Sequence, residues 1–110
     1  MIAAVESIAA LGDIRRREIF EILASGPRPV GELARQLPVT RSAVSQHLLV
    51  LQKAGLVTHR VAGTRHLYQL DPQGIAGIRE YLDSMWQKAL DNFKAEAERA
   101  FAEHSTNEKD

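Results

Sequence analysis

The chain has 110 residues, 45 % of them hydrophobic, and no cysteine, which predicts one compact domain and excludes disulfides, thiolate metal sites and thiol redox switches. Residues 1–11 lack the basic start and apolar run of a signal peptide, and no segment approaches the ~20 apolar residues that span a bilayer, so we expect a soluble, cytoplasmic protein without a membrane partner. Basic and acidic side chains number 14 each, but residues 33–70 carry five Lys/Arg and no Asp/Glu; this asymmetry indicates a polyanion-binding face, although packing can also segregate charge.

Two short helices are predicted at the start of the chain. Residues 2–11 form the first, with Val5 and Ile8 on one side. Asp13 is suited to cap a second helix over residues 14–25. The arginine run that follows Asp13 is most simply a solvated face, although an arginine there could also touch a phosphate.

The next segment predicts two helices separated by a sharp turn. Apolar residues at helical spacing indicate a helix over residues 30–37, and Pro38 cannot continue it. Thr40 is a good N-cap for the following helix, residues 41–54, because its hydroxyl can accept a hydrogen bond from an amide of the first turn. Helix, tight turn and second helix form the helix-turn-helix arrangement, in which the second helix enters the ~12 Å major groove of DNA.

The helix over residues 41–54 has one apolar and one polar face. Val44, Leu48 and Leu51 recur at helical spacing and should pack inward. On the other face glutamine can pair with adenine, serine adapts to several acceptors, and an arginine at the helix start can reach a phosphate or a guanine. The candidate DNA contacts at this helix are Thr40, Arg41, Ser42, Ser45 and Gln46. An ordinary helical hairpin with a polar outer face is the alternative.

A β-hairpin is predicted next, because residues 56–61 and 65–70 are two β-prone runs with a short turn between them. Basic side chains lie towards its tip. We therefore expect a wing that grips flanking phosphates or the minor groove with Arg60, Thr64 and Arg65. A hairpin that merely closes the core would explain the strands but not the charge.

A long amphipathic helix is predicted from Pro72 to about residue 102. Its apolar stripe runs for ~30 residues, or ~45 Å, and exceeds what one small core can cover. A second subunit is the expected cover, with help from the first helix, although Trp86 could equally pack within its own subunit. The predicted dimer interface comprises Val5, Ile8, Leu82, Met85, Trp86, Leu90 and Phe93.

Several short motifs occur in a characteristic order. They are Ala10-Leu11-Gly12-Asp13, Val30-Gly31-Glu32-Leu33-Ala34, Ser42-Ala43-Val44-Ser45-Gln46-His47-Leu48, Ala54-Gly55-Leu56-Val57, Gly63-Thr64-Arg65 and Leu67-Tyr68-Gln69-Leu70-Asp71. At these spacings the chain resembles the ArsR/SmtB-type winged-helix repressors of bacteria and archaea over about residues 8–90. The resemblance implies a homodimer that binds operator DNA and represses transcription, with His47 also in the reading helix. His47 would either donate to a phosphate or stabilise the turn.

Many members of that family sense metals, so their ligand positions need comparison. One family site uses cysteines near the start of the third helix, where this chain has Pro29. The other draws ligands from the last helix, where this chain has Pro72, Gly74, Met85 and Lys88. None of these side chains suits zinc or nickel. The chain therefore resembles the metal-independent subgroup, in which a tryptophan marks the last helix, and we predict no metal and no cofactor.

These observations predict a mainly α fold of the α+β class: a winged helix-turn-helix with about five helices and one hairpin wing, dimerising through its terminal helices. Residues 1–102 should form a single DNA-binding and dimerisation domain, and residues 103–110 a disordered tail. The predicted function is a homodimeric repressor, or autorepressor, that binds an inverted repeat in double-stranded DNA, because twin reading helices would lie ~34 Å apart.

Two alternatives remain open at this point: a metal- or small-ligand-responsive derepressor of the same family, and a winged helix used as a protein-interaction or architectural module. No effector is identified by the sequence. An enzyme is not expected, because the chain has no cysteine, no Ser/His/carboxylate arrangement, no phosphate loop and no paired carboxylates in an apolar setting.

Overall fold

The structure is a computed structural model that describes the backbone of residues 2–109 and the side chains of residues 4–104. The strands form one antiparallel sheet in the order β1-β3-β2. The chain divides into two compact units, with the boundary between Arg79 and Glu80. The elements are α1 Ile2–Ala10, α2 Ile14–Leu23, β1 Arg28–Pro29, α3 Val30–Gln36, α4 Arg41–Lys53, β2 Val57–Ala62, β3 Arg65–Leu70 and α5 Pro72–Lys109.

Asp13 caps α2, as the sequence predicted. Its carboxylate accepts hydrogen bonds from the backbone N–H groups of Arg15 and Arg16, at 2.9 and 3.1 Å, which satisfies two amides of the first turn. The Nε atom of Arg16 donates to the carbonyl oxygen of Ala10 at 2.7 Å. The junction between α1 and α2 is therefore closed by local polar contacts.

Both ends of α4 are fixed by local structure, and the start is fixed by the residues expected from the sequence. Leu37 is extended, with φ −122° and ψ 147°, because the following proline disfavours helical geometry. The Thr40 hydroxyl accepts from the Ala43 N–H at 3.1 Å. Gly55, with φ +78°, adopts the left-handed conformation that ends a helix. The N-cap predicted at Thr40 is thus confirmed, and Gly55 ends the helix.

The inner face of α4 forms the centre of the core. Val44, Leu48 and Leu51 are fully buried, and each buried aliphatic side chain stabilises the fold by about 1.5–3 kcal/mol. The side chains that surround them come from the preceding helices and from the start of the hairpin: Ile19, Leu23, Leu33, Leu56 and Val57. Because one face of α4 is held in this way, its other face is directed to solvent.

The β2–β3 hairpin pairs in register from Val57 opposite Leu70 to Ala62 opposite Arg65. Gly63, with φ +66°, begins a two-residue turn, as in type II′ hairpins, which favour glycine at this position. β2 therefore starts one residue later and ends one residue later than the sequence predicted, because only two residues are needed for the turn.

The sheet contains one strand, β1, that was not predicted from the sequence. Arg28 and Pro29 form β1, which pairs antiparallel with Tyr68 and Leu67 of β3. Two residues are too short to show the alternation that identifies a strand in a sequence. The strand holds the start of α3 against the hairpin.

The first turn of α5 is attached to the end of α4. Asp71 acts as its N-cap, since its Oδ1 atom accepts from the Gln73 N–H at 3.0 Å. The Asp71 N–H donates to the carbonyl oxygen of Leu56 at 2.8 Å. Gly74 approaches the backbone of Gly55 so closely that a Cβ atom at this position would overlap the Gly55 carbonyl oxygen.

The far end of α5 corrects a boundary taken from the sequence. The helix ends at Lys109 rather than near residue 102, because the intervening sequence contains no proline or glycine to stop it. The expected disorder of residues 103–110 stays a prediction, and Asp110 lies outside the described residues.

The unit beyond Arg79 is a helix with a row of exposed apolar side chains. Their spacing of three or four residues puts them on one side of the helix. No helix among the residues searched is long and apolar enough to cross a membrane. The exposed apolar side chains of this unit are Leu82, Met85, Trp86, Leu90, Phe93 and Phe101.

Candidate nucleic-acid interface

The outer face of α4 carries four of the predicted DNA contacts. Arg41, Ser42, Ser45 and Gln46 are all exposed, and so is the capping residue Thr40. Within the part of the chain that the structure describes, the side chains of Ser42, Ser45 and Gln46 have no hydrogen-bond partner. Their donors and acceptors are therefore available to an incoming ligand. All lie in the first two turns, the part of the helix that enters a major groove end-on.

His47 has a different environment from its neighbours on α4. It is half-buried, and it lies close enough to Asp13, the cap of α2, to contribute to the lowering of the Asp13 pKa. The pKa of Asp13 is lowered chiefly by the hydrogen bond from the Arg16 N–H; desolvation opposes this shift, and the Arg15 N–H and the charges of Arg16 and His47 add to it. The structure thus locates His47 near the α1–α2 junction, away from the fully exposed residues that precede it.

The hairpin has two faces of different chemistry, because side chains alternate along each strand. His59, His66 and Tyr68 share one face, where the His59 ring centroid lies 5.6 Å from that of His66 and 5.2 Å from that of Tyr68. Arg60 and Arg65 lie on the opposite face and are exposed. The wing therefore presents an imidazole face and a guanidinium face.

A polar contact joins the hairpin to α4. The Nε2 atom of Gln52 lies 2.7 Å from the Nδ1 atom of His59, which links the last turn of α4 to β2. The predicted wing residue Thr64 is exposed at the hairpin tip. α4 and the hairpin are thus connected both through the chain and through this side-chain contact.

A cleft of about 380 Å³ opens between α3, the first residue of α4 and the tip of the wing. It brings together three of the predicted DNA-contact residues, Arg41, Thr64 and Arg65, whereas Arg60 is not part of its lining. Arg35 of α3 also lines the cleft, and sequence reasoning missed it. The available signal was its position in the acid-free segment, residues 33–70.

The residues searched for metal sites contain no group of three or more His, Asp or Glu side chains that could hold an ion. The pair His59 and His66 lacks a third ligand of this kind. Pro29, at the family's thiolate position, is occupied in backbone pairing with Leu67. The described residues thus offer neither of the two metal sites compared above.

The residues expected at a dimer interface are exposed in the single chain. Val5 and Ile8 of α1 are both exposed. In the unit beyond Arg79, Trp86 is 65 % exposed and Phe93 is 73 % exposed. Large apolar side chains left open in this way leave room for a partner to cover them.

Comparison with known proteins agrees with this architecture. Residues 13–59, from the cap of α2 into β2, match the model of a family described as bacterial regulatory proteins of the arsR family. The HTH-type transcriptional regulator Rv2034 of Mycobacterium tuberculosis is 60 % identical over 84 residues, which cover 76 % of this chain and 78 % of that protein.

Two solved structures have the same fold. The crystal structure of a possible transcriptional regulator for arsenical resistance is 43 % identical, with a TM-score of 0.67, and the match covers 83 % of this chain and 95 % of that one. The solution structure of the homodimeric winged helix-turn-helix DNA-binding domain of Mb0332 from Mycobacterium bovis is 29 % identical, with a TM-score of 0.62 and coverage of 81 % and 79 %. The predicted winged helix-turn-helix fold is confirmed. The chain belongs to the ArsR family and is a transcriptional regulator, not an enzyme.

Proposed function

We propose that the protein is a homodimeric, sequence-specific repressor that binds an inverted repeat in double-stranded DNA, including one at its own promoter. α4 enters the major groove, and the β2–β3 hairpin acts as a wing on the flanking backbone. The observation that carries this proposal is the set of unpartnered polar side chains on the first two turns of α4, next to an arginine-lined cleft.

The outer face of α4 supplies the base contacts. Gln46 can donate to and accept from one adenine, and Ser42 and Ser45 can bond to several base edges. His47 is half-buried, so it contributes from the edge of this surface. Arg41, Arg60, Thr64 and Arg65 contact phosphates, which fix the position of the protein on the duplex without reading its sequence.

The exposed apolar residues of α1 and α5 form the dimer interface: Val5, Ile8, Leu82, Met85, Trp86, Leu90 and Phe93. Residues 1–102 then act as one DNA-binding and dimerisation domain. Two copies present two α4 helices to successive major grooves, ~34 Å apart, which requires a two-fold symmetric operator. The homodimeric relative of the same fold supports this arrangement.

The protein acts in the cytoplasm without a metal or a cofactor. Since the chain has no thiol, release from DNA depends on an organic ligand, a partner protein or the protein concentration. Which genes the protein regulates is determined by the operator sequence and not by the fold.

The direct test is binding of the purified protein to DNA from upstream of its own gene, measured by fluorescence anisotropy and footprinting. We expect a nanomolar-range dissociation constant that rises steeply with salt, and a protected inverted repeat. Equal affinity for unrelated duplexes at physiological salt would overturn the proposal. If the protein keeps its regulatory activity after Arg41, Gln46 and Arg65 are replaced, the result would instead support a protein-interaction module.

A further inference from the structure

The cleft beside α4 gathers guanidinium groups from three separate elements. Arg35 belongs to α3, Arg41 is the first residue of α4, and Arg65 is the first residue of β3. The Nη1 atoms of Arg41 and Arg35 lie 3.7 and 3.9 Å from the position of a Cβ atom built on Gly31. Two like charges from different helices therefore converge on one point above the backbone of α3.

Among the described residues, none of Arg35, Arg41 and Arg65 forms an ion pair. The cleft does contain one carboxylate, Glu32, but its Oε1 atom lies 3.4 Å from the Nε atom of Arg28. Converging like charges repel each other, and an anion between them removes this cost. The cleft thus has the electrostatic character of an anion site that its own chain leaves unfilled.

The shape of the site suits a phosphate group. Guanidinium groups donate two parallel hydrogen bonds to phosphate oxygens, and arginine is the preferred side chain for such contacts. Gly31 keeps the space beside Arg35 and Arg41 open, because a Cβ atom at that position would already be in van der Waals contact with both guanidinium groups. The cleft, at about 380 Å³, is open enough to admit a phosphate that is part of a chain.

The position of the cleft indicates which phosphate it takes. One wall is the start of α4 and another is the tip of the wing, the two elements that contact DNA in the proposed function. A DNA strand that followed the proposed path from the major groove at α4 towards the wing would pass over this cleft. We infer that the cleft is the seat of one backbone phosphate of the bound duplex, clamped by Arg35 together with Arg41 and Arg65. This inference rests on the proposed function and adds Arg35 of α3 to the DNA-contacting residues.

A contact of this kind has a distinctive signature. Phosphate contacts do not depend on the base sequence. The loss of one such contact reduces the slope of the logarithm of the binding constant against the logarithm of the salt concentration by about one in magnitude. Arg35→Ala should therefore weaken binding to every duplex by the same factor. For each subunit we expect a loss of at least about tenfold at low salt, as for other hydrogen bonds to charged groups, and a slope smaller by about one.

The experiment measures the affinity of the full chain for promoter DNA and for an unrelated duplex over a range of salt concentrations, for the wild type, Arg35→Ala and Lys53→Ala. Lys53 is an exposed cation at the opposite end of α4, about 18 Å from Arg41 along the helix, so its loss should leave the slope unchanged. Circular dichroism verifies that each variant is folded. A second arm replaces single phosphates of the promoter duplex by neutral methylphosphonates; at one position in each half-site the Arg35→Ala loss should disappear.

The outcomes separate the two proposals. If the wild type prefers no sequence, the repressor proposal fails, while a slope reduced by Arg35→Ala on any duplex still supports the phosphate seat. If the wild type is sequence-specific but Arg35→Ala keeps its affinity and slope, the phosphate seat is wrong and the repressor proposal stands. A loss confined to promoter DNA would also overturn the seat, because it would mean that Arg35 reads bases.

Discussion

Gly74 in the first turn of α5 lies against the backbone of Gly55, the residue that ends α4. A Cβ atom at position 74 would lie 2.8 Å from the carbonyl carbon of Gly55 and 3.3 Å from the Cα of Leu56, and would overlap the Gly55 carbonyl oxygen. These are backbone atoms and cannot rotate away. The last helix can therefore start directly on the end of α4 only because residue 74 has no side chain.

Gly74→Ala should lower the free energy of unfolding by about 1–3 kcal/mol, the usual cost of forcing an extra methyl group into a packed site. Gly77→Ala is the matched control one turn further along α5. No atom lies within 4 Å of a Cβ atom built on Gly77, so alanine there should increase stability by up to about 1 kcal/mol through its higher helix propensity. Urea unfolding of both variants checks this, and equal effects of the two substitutions would contradict it.

The contact between Gly74 and Gly55 also illustrates what could not be read from the sequence. The caps Asp13 and Thr40 were predictable because each acts on amides two or three residues away. The approach of two glycines from different helices depends on how the helices pack, and so do the strand β1 and its pairing with β3. Short-range interactions made the helices and the hairpin predictable from the sequence. The close contacts between these elements could be seen only in the folded structure.

The candidate site also has one part that could be predicted from the sequence and one part that could not. The polar face of α4 was predictable because helical periodicity separates Gln46 from the buried Val44 and Leu48. Arg35 was not, because it belongs to a different helix and faces Arg41 only after α3 and α4 have packed. Its role is visible only when the cleft has formed.

Gln46 provides a test of base reading. Gln46→Ala should cost about 1–3 kcal/mol of binding free energy on the operator, and relax the preference at one base pair, without changing the salt slope. Gln36→Ala is the control, because Gln36 is an exposed glutamine at the end of α3 and lies outside the arginine cleft. Affinities for a set of single-base operator variants would measure the effect. A uniform loss at all positions would instead mean that Gln46 contacts the backbone.

Asp13 predicts a pH dependence of stability. The hydrogen bond from the Arg16 N–H is the main cause that holds the pKa of Asp13 below its ordinary value of 3.8. A carboxyl group whose pKa is lower in the folded state stabilises the fold above its unfolded pKa, and this contribution is lost as the pH falls through the folded pKa. The wild type should therefore be more stable than Asp13→Asn at neutral pH, and the difference should shrink below pH 3.8.

Thermal unfolding of both proteins between neutral pH and the lowest pH at which they stay folded measures this difference. Asparagine keeps an oxygen acceptor for the amides of α2 but cannot titrate, so the comparison isolates the charge. A difference that stays constant with pH would show that the carboxylate contributes only as a neutral acceptor would.

The exposed face of α5 predicts how the dimer can be broken. Phe93 is 73 % exposed in the single chain, so replacing it removes little packing within its own subunit. If a second copy covers it, Phe93→Asp removes about 1.5–3 kcal/mol of burial from each subunit and puts a charge into an apolar interface. We expect the dimer dissociation constant to rise at least about a hundredfold, as measured by sedimentation equilibrium.

Ser84→Asp is the matched control for this charge. Nine residues correspond to two and a half turns of helix at 3.6 residues per turn, so Ser84 faces away from Phe93 on the same helix and is also exposed. The same aspartate on that side should leave the dimer intact. A monomeric Phe93→Asp should also bind a half-site and the full inverted repeat with similar affinity, because two linked reading helices gain over one only when both engage the same duplex. If the Phe93→Asp and Ser84→Asp variants both keep the dimer dissociation constant of the wild type, the apolar face of α5 is not the dimer interface.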